Sequence, residues 1–503
     1  MSDNLFDDIR ARISSPDKTF IETNAGVRIS YGEMLARTAQ LANVLVLRGV
    51  EPGDRIAVQV DKTPENLLLY LASLRAGAVY LPLNTAYTLA ELDYFIGDSE
   101  PKLVVCDPSK RDGLAEIAKK RGVAAVDTLD AKGKGSLLDA AAKAPTDFAD
   151  VPRDADDLAA ILYTSGTTGR SKGAMLTHRN LGSNARTLVD YWRFTAADTL
   201  LHVLPIYHTH GLFVASNTVM LAGGSMLFLP KFDAEEVMTL LPKVTTMMGV
   251  PTFYTRLLKH PGLNRQATAH MRLFTSGSAP LLAETHREFQ DKTGQAILER
   301  YGMTETNMNT SNPYDGDRIA GTVGFPLPDV SLRIADEEGR ALPQGSVGLI
   351  EVKGPNVFAG YWRMPEKTKA EFRPDGFFIT GDVAKIDERG YVHIVGRAKD
   401  LIITGGFNVY PIEVEAEIDG LPGVVESAVI GCPHPDFGEG VTAVVVCRRG
   451  VELSERSIMS ALEQRLAKFK LPKRVIFVED LPRNTMGKVQ KNVLRDQHAK
   501  LYG

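Results

Sequence analysis

The sequence predicts an α/β protein in two unequal parts. A large N-terminal domain has parallel-rich sheets and a smaller β subdomain, and a small α+β domain follows at the C-terminus. Three observations carry this reading. Strand and helix patterns alternate from Ser30 to Leu298, as in parallel sheets covered by helices. Around Pro343-Gln-Gly-Ser-Val-Gly-Leu-Ile-Glu-Val352 the pattern turns to shorter strands and tight turns. Beyond Gly396 a compact mixed pattern fills roughly 100 residues, an ordinary domain size. The boundary is placed after Arg397, giving domains 1–397 and 398–503.

Each element has a local reason. Ser30 and Glu33 form a capping box, Met34, Leu35, Leu41, Ala42 and Leu45 share one helical face, and Gly49 ends the helix. Arg55–Val60 reads as a strand, and Pro64–Gly77 as a helix with proline near its start. Ala78–Leu83 is strand-like, Leu89–Gly97 helical and Leu103–Cys106 a strand. Residues 128–150, rich in Ala, Lys, Gly and Asp, read as a surface connection. Further strands are expected at Leu158–Leu162, Leu200–Leu204, Ser225–Leu229, Leu273–Thr275 and Ala296–Leu298. In the C-terminal domain the expected helices are Ile412–Ile418 and Glu455–Ala467. The expected strands there are Val425–Ile430, Val441–Val446 and Val475–Val478.

Composition excludes several classes. Hydrophobic residues make up 44% and charged residues 24% of the 503, as in ordinary globular proteins. A net charge of −4 gives no global argument for nucleic acid or an anionic membrane, and neither partner is expected. Cys106, Cys432 and Cys447 are too few and too scattered for a disulfide scaffold or a zinc site, and they fit a reducing cytoplasm. The acidic start Met1-Ser-Asp-Asn-Leu-Phe-Asp-Asp-Ile9 does not read as a signal peptide. No apolar run approaches the roughly 20 residues that span a bilayer.

The chemistry centres on Tyr163-Thr-Ser-Gly-Thr-Thr-Gly-Arg-Ser-Lys-Gly173, entered from the apolar strand Leu158-Ala-Ala-Ile-Leu162. Glycines free backbone N–H groups to turn toward an anion, hydroxyls add donors, and Arg170 and Lys172 add charge. This composition wraps phosphates, although exposed Gly/Ser/Thr turns share it. A Walker loop is excluded by spacing, because the residue five after Gly166 is Ser171.

The loop resembles the phosphate signature of the adenylate-forming enzymes: acyl-CoA synthetases, peptide-synthetase adenylation domains and luciferases. The resemblance implies that family's fold and assigns Thr164, Ser165, Gly166, Thr167, Thr168, Gly169 and Lys172 to ATP phosphates. Six further motifs occur in order. Leu204-Pro-Ile-Tyr-His-Thr-His-Gly211 brings His208 to the acyl and phosphate site, and no third ligand suggests a metal there. Thr275-Ser-Gly-Ser-Ala-Pro280 supplies Gly277, Ser278 and Ala279 as a flat seat for adenine. In Arg300-Tyr-Gly-Met-Thr-Glu-Thr306, Tyr301 and Gly302 adjoin adenine, Thr304 offers a hydroxyl to the α-phosphate, and Glu305 is a hard carboxylate for Mg²⁺. Asp382 of Phe378-Ile-Thr-Gly-Asp382 would accept the ribose hydroxyls. Gly396 to Pro411 matches the family's interdomain segment: Arg397 would contact ribose, Lys399 would be the hinge, and Gly405 and Gly406 would admit the thiol-bearing arm of coenzyme A. Pro482-Arg-Asn-Thr-Met-Gly-Lys-Val-Gln-Lys-Asn492 ends the series with Lys488 as the catalytic cation.

These residues imply two half-reactions. A carboxylate attacks the α-phosphorus of ATP to give acyl-adenylate and pyrophosphate, and a thiol then displaces AMP. Lys488 must reach the phosphate in the first step and withdraw in the second, so the small domain is expected to swing about Lys399. With Gly503 as the last residue, no fused carrier domain is expected, which favours coenzyme A as the expected acceptor.

Arg300 narrows the acid. A buried guanidinium requires a counter-charge, which a second substrate carboxylate supplies. Glu299-Arg-Tyr-Gly-Met-Thr-Glu-Thr-Asn-Met-Asn-Thr310 is similar to the malonyl-CoA synthetase branch, which also uses an arginine corresponding to Arg256. Malonate is therefore the expected substrate, methylmalonate an expected second one, and ATP and coenzyme A the co-substrates. The alternatives are a synthetase for another short acid, a stand-alone adenylation enzyme loading a carrier protein, or an inactive nucleotide sensor. Acetylation of Lys488 by a lysine acetyltransferase, reversed by a deacetylase, would remove its charge.

Overall fold

The computed structural model describes residues 2–164, 171–405, 407–451, 453–484 and 487–503. Among the described residues the strands form four sheets. The largest has nine strands, in the order Phe325–Pro326, Asn307–Ser311, Leu298–Met303, Leu273–Ser276, Thr246–Gly249, Thr199–His202, Ser225–Phe228, Thr19–Thr23 and Arg28–Ser30. Its six central strands are parallel and its edges antiparallel. A seven-stranded sheet is parallel from Leu158–Thr164 through Val79–Pro82, Arg55–Gln59, Leu103–Cys106 and Ala125–Thr128. Lys172–Thr177 and Gly360–Tyr361 add an antiparallel edge to it.

Helices between the strands close these sheets. Tyr31–Leu47 starts at the expected box: Ser30 Oγ accepts from Glu33 N at 3.1 Å, and Ser30 N donates to Glu33 Oε2 at 2.7 Å. Pro64–Arg75 is buried nearly all round, because it lies between the two large sheets. One apolar cluster runs through both sheets, from Phe6 and Trp192 to Phe378. Burial of this continuous surface holds the two sheets as one body.

A four-stranded antiparallel sheet, Ser331–Ala335, Gly348–Lys353, Phe378–Ile386 and Val392–Arg397, accounts for the turn-rich region near residue 350. A short 3₁₀ turn, Ala398–Asp400, follows, and the next strand, Ile402–Thr404, belongs to a different sheet. That last sheet joins Phe407–Val409, Ile402–Thr404, Gly438–Cys447, Val424–His434 and Arg474–Val478, with its own apolar cluster around Val414, Val429, Val445 and Leu462.

Three local expectations need correction. Residues 128–150 are more than a surface connection: Ser136–Ala141 is a helix, and Leu129, Leu137 and Ala141 enter the core. The strand expected at Ala296–Leu298 starts at Leu298 and continues to Met303, so it delivers the Arg300–Gly302 motif itself. The helix expected to reach Ala467 stops at Glu463 and gives way to a 3₁₀ turn at Lys468–Lys470. Among the described residues no helix is long and apolar enough to cross a membrane.

Candidate active site

The motifs meet where parallel strands end. Leu158–Thr164, Thr246–Gly249, Leu273–Ser276 and Leu298–Met303 point their C-terminal ends at one cleft, the usual ligand position in parallel α/β sheets. The turn Thr304–Thr306 closes the hairpin between Leu298–Met303 and Asn307–Ser311, and places Thr304 and Glu305 at the rim. Gly302 cannot be replaced there, since a Cβ would stand 1.8 Å from Asn307 O.

The phosphate end is tied by long-range pairs. Thr164 and Lys172 face each other across an antiparallel register, with the loop between them. Ser165, Gly166, Thr167, Thr168 and Gly169 lie outside the described residues. Lys172 Nζ is 3.1 Å from Glu371 Oε1 and stands over the Tyr361 ring at 4.0 Å. The Tyr361 hydroxyl lies between two carboxylates, 3.0 Å from Glu305 Oε1 and 2.7 Å from Glu371 Oε2. Burial raises the Glu305 carboxyl above its usual range. A buried carboxylate of this kind, short of water, gains from a nearby cation.

The residues expected at the ribose form a second unit. Tyr301 donates its hydroxyl to Asp382 Oδ2 at 2.6 Å, and Arg397 Nε pairs with Asp382 Oδ1 at 2.6 Å. Asp382 and Arg397 are cross-strand partners, so the sheet register sets the pair. The charge of Asp382 holds the Arg397 guanidinium above its usual range. A carboxylate offers about four acceptor sites, so two remain for further donors.

The opposite end of the cleft is built differently. Arg300 is buried and makes no ion pair among the described residues; its Nε and Nη2 have no hydrogen-bond partner there. Burial pulls its guanidinium down to about 9, which leaves it charged at neutral pH. It rests on Gly277, where a Cβ would lie 2.1 Å from Nη1. Ser278 follows with φ 71°, an uncommon conformation for a non-glycine residue, and its Oγ lies 3.2 Å from His210 Nδ1. Ala279 continues the same turn. His208 feels both Arg300 and Lys488. Burial, then the Lys488 and Arg300 charges, pull its imidazole down to about 4, so it is neutral at pH 7.

Arg256 and Arg300 are set differently in the fold: Arg300 is buried and Arg256 is exposed. Arg256 projects from Pro251–Leu258 on the side opposite the buried Tyr254, Leu257 and Leu258. At 100° per residue, these three form one inward face, and Arg256 lies about 150° from its centre.

From the C-terminal part, Lys488 enters the cleft and keeps solvent access. The surrounding protein, with Arg397, holds its ammonium below the usual lysine range. A Cβ on the adjacent Gly487 would lie 3.6 Å from Thr252 Oγ1, which sets this loop against the start of Pro251–Leu258. Lys399 is exposed in the 3₁₀ turn between the two sheets. Gly405 adopts φ 57° and its N–H donates to Phe437 O at 2.9 Å; Gly406 lies outside the described residues.

Sequence reasoning missed Tyr361, Glu371 and His210. His210 starts a π-helix, His210–Asn217, a geometry common at functional sites. His202 Nε2 lies 2.9 Å from Gly211 O in that helix, and its Nδ1 is 2.9 Å from Nζ of the half-buried Lys62.

Comparison with known proteins fits this geometry. The AMP-binding enzyme family matches residues 10–362, and the AMP-binding enzyme C-terminal domain matches residues 413–488. The chain belongs to the AMP-binding enzyme family. It is 37% identical to a feruloyl-CoA synthase from Amycolatopsis sp, over 97% of each chain. It is 35% identical to a malonate–CoA ligase from Arabidopsis thaliana, over 88% of this chain and 78% of that one. Among solved structures, ATP-bound MatB from Rhodopseudomonas palustris is 67% identical, covers both chains fully and superposes with a TM-score of 0.99. The enzyme is an AMP-forming ligase of the acyl-CoA synthetase class. Apo MatB, also 67% identical and fully covered, superposes at 0.87. Identity and coverage are equal in the two comparisons, so the arrangement differs, and this enzyme has that of the ATP-bound form.

Proposed function

We propose that the enzyme is an ATP-dependent malonate:CoA ligase, forming malonyl-AMP and pyrophosphate, then malonyl-CoA and AMP. The observation that carries this reading is Arg300: a buried cation at the acyl end with two nitrogens lacking acceptors. The second carboxylate of malonate supplies the missing counter-charge, whereas acetate would leave the guanidinium unpaired. The malonate–CoA ligase relatives support the same substrate. Methylmalonate, with the same two carboxylates, is the proposed second substrate.

The reacting carboxylate of malonate attacks the α-phosphorus, a P–O bond forms, and the bond to the β-phosphate oxygen breaks. Lys488 places its ammonium where charge builds on the α-phosphate, and Thr304 adds a hydroxyl. Losing one such preorganised group costs about 100- to 1000-fold in rate. Lys172 and the loop from Thr164 to Gly169 hold the outgoing phosphates. Asp382 uses its two remaining acceptor sites for the ribose hydroxyls. Tyr301, its hydroxyl tethered to Asp382, sets its ring beside adenine, with Gly277, Ser278 and Ala279 as the other wall.

Glu305 suits Mg²⁺, a hard ion that keeps several waters and takes few protein ligands beside substrate phosphates. The buried carboxylate, steadied by Tyr361, would hold it. Bound there, the ion would neutralise part of the phosphate charge.

The second step needs the thiol to reach the adenylate carbonyl from the side that Lys488 now fills. Division at 397/398, with Lys399 as hinge, lets the small domain turn away and bring Gly405 and Gly406 toward the pantetheine arm. A Lys399→Pro variant should therefore lose thioester formation more than adenylation. Acetylation of Lys488 would remove the charge needed in the first step. The three free cysteines fit a reducing cytoplasm.

The test is carboxylate-dependent ATP–pyrophosphate exchange without coenzyme A, comparing malonate, methylmalonate, succinate, acetate, octanoate and benzoate. Exchange should be strongest with malonate. Arg300→Met should lower it by about 100-fold or more while leaving acetate-supported exchange unchanged. Equal loss with both acids would remove Arg300 from substrate selection.

A further inference from the structure

The loop carrying Lys488 is gripped at both ends by ion pairs that the reaction scheme does not use. Arg483 and Val489 face each other across an antiparallel bridge, and Gln490 N donates to Pro482 O at 2.8 Å. Asn484 closes the turn: its N–H donates to Lys488 O at 2.9 Å, and its Oδ1 accepts from Lys488 N at 3.0 Å. These bonds fix the loop's internal shape but not its direction.

Direction comes from two cations flanking the turn. Arg483 Nη1 donates to Gly487 O at 2.6 Å, and its Nη2 reaches Glu426 on Val424–His434. Lys491 Nζ is 2.6 Å from Glu415 Oε1 on Pro411–Asp419. Glu415 Oε1 also accepts from Val429 N at 2.7 Å, so one carboxylate joins helix, strand and loop. All four side chains are partly buried. Isolated pairs near a surface add little to stability. Their geometric effect is larger, because Lys488 reaches into the cleft from the end of a short hairpin, and about 1 Å of misplacement can cost roughly 100-fold.

We propose that the Arg483–Glu426 and Lys491–Glu415 pairs are positioning elements that aim Lys488 at the phosphate end of the cleft, and so set the rate of adenylation and not of thioester formation. The proposal rests on Lys488 acting in adenylation, as read above. A role confined to folding would lower both half-reactions together; an aiming role lowers only the step in which Lys488 is in place.

The experiment uses the full-length enzyme. Glu415→Gln, Glu426→Gln and Lys491→Met are compared with Lys488→Ala and with the conservative variant Lys491→Arg, which keeps a cation for Glu415 and leaves the Glu415 bond to Val429 N in place. Three readouts are taken: malonate-dependent ATP–pyrophosphate exchange, conversion of supplied malonyl-adenylate and coenzyme A to thioester, and thermal melting. The neutralising variants should lose about 10- to 100-fold in exchange and keep thioester formation within about twofold. Lys491→Arg should keep most of the exchange that Lys491→Met loses. Undiminished exchange in the neutralising variants beside an impaired Lys488→Ala overturns the proposal. So does parallel loss of both half-reactions, or a Lys491→Arg no better than Lys491→Met. Full exchange in Lys488→Ala would instead sink the reading of Lys488 on which the proposal stands.

Discussion

The two ends of the cleft are finished to different degrees. At the nucleotide end Lys172, Glu305 and Asp382 all have partners in the chain: Lys172 has Glu371, Glu305 has the Tyr361 hydroxyl, and Asp382 has both Tyr301 and Arg397. At the acyl end Arg300 is buried with two free nitrogens, and His208 Nδ1 and His210 Nε2 also lack partners among the described residues. The first end is satisfied before ligand arrives and needs only geometry from it. The second carries an electrostatic deficit, which on the proposed reading the second carboxylate of the substrate removes. On that reading specificity resides where the protein alone is least comfortable, a common trade between stability and function.

Removing one charge at each end should move stability in opposite directions. Asp382→Ala strands the Tyr301 hydroxyl and the Arg397 guanidinium, and should destabilise by about 2–3 kcal/mol, after discounting for the partial exposure of Arg397. Arg300→Met removes an unpaired buried charge and fills similar volume with apolar atoms, so the unliganded protein should gain about 1–2 kcal/mol. Denaturant midpoints without substrate check both. Destabilisation by Arg300→Met would mean that Arg300 has a partner in the chain after all, and the contrast would collapse. Malonate should raise the melting temperature of the wild type and not of this variant.

A milder change tests how the acyl end is aimed. A Cβ at Gly277 would lie 2.1 Å from Arg300 Nη1 and 2.4 Å from its Cζ, and the guanidinium must swing aside. Gly277→Ala should raise KM for malonate about 10-fold with little change in KM for ATP. A rise confined to ATP would show that Gly277 serves only the adenine seat.

Much of this was legible in the sequence because the key residues sit in contiguous motifs. Arg300, Tyr301, Gly302, Thr304 and Glu305 occupy one strand end and its turn, and the alternation of apolar runs placed that strand in a sheet. Tyr361 and Glu371 were not legible. Glu371 meets Lys172 across 199 positions, and neither it nor Tyr361 lies in a recognisable motif. Arg256 shows two kinds of reading side by side: the resemblance assigns it to the acid, while Tyr254, Leu257 and Leu258 at i, i+3 and i+4 mark the inward face of its helix, opposite which it stands exposed.

Asp419 is the counterpart of Arg300, a half-buried acid among acids, and offers the finest test of the contrast. It ends Pro411–Asp419, one turn after Glu415. Burial pushes its carboxyl up to about 7, with Glu415 and Glu426 adding to the shift and Ser427 opposing it. The neighbouring cations, Lys491 and Arg483, are already engaged by Glu415 and Glu426. The native state therefore keeps this proton from about pH 4 to about pH 7, while the unfolded chain gives it up. Stability falls as pH rises through that window and is flat above it. Asp419→Asn removes the slope: it should match the wild type near pH 4 and exceed it by about 1–2 kcal/mol at pH 8, a figure reduced for partial solvent contact. Urea midpoints across this range decide it. Parallel curves would show that Asp419 ionises normally, and the acid cluster would then place three negative charges, not two, against the cations that hold the Lys488 loop.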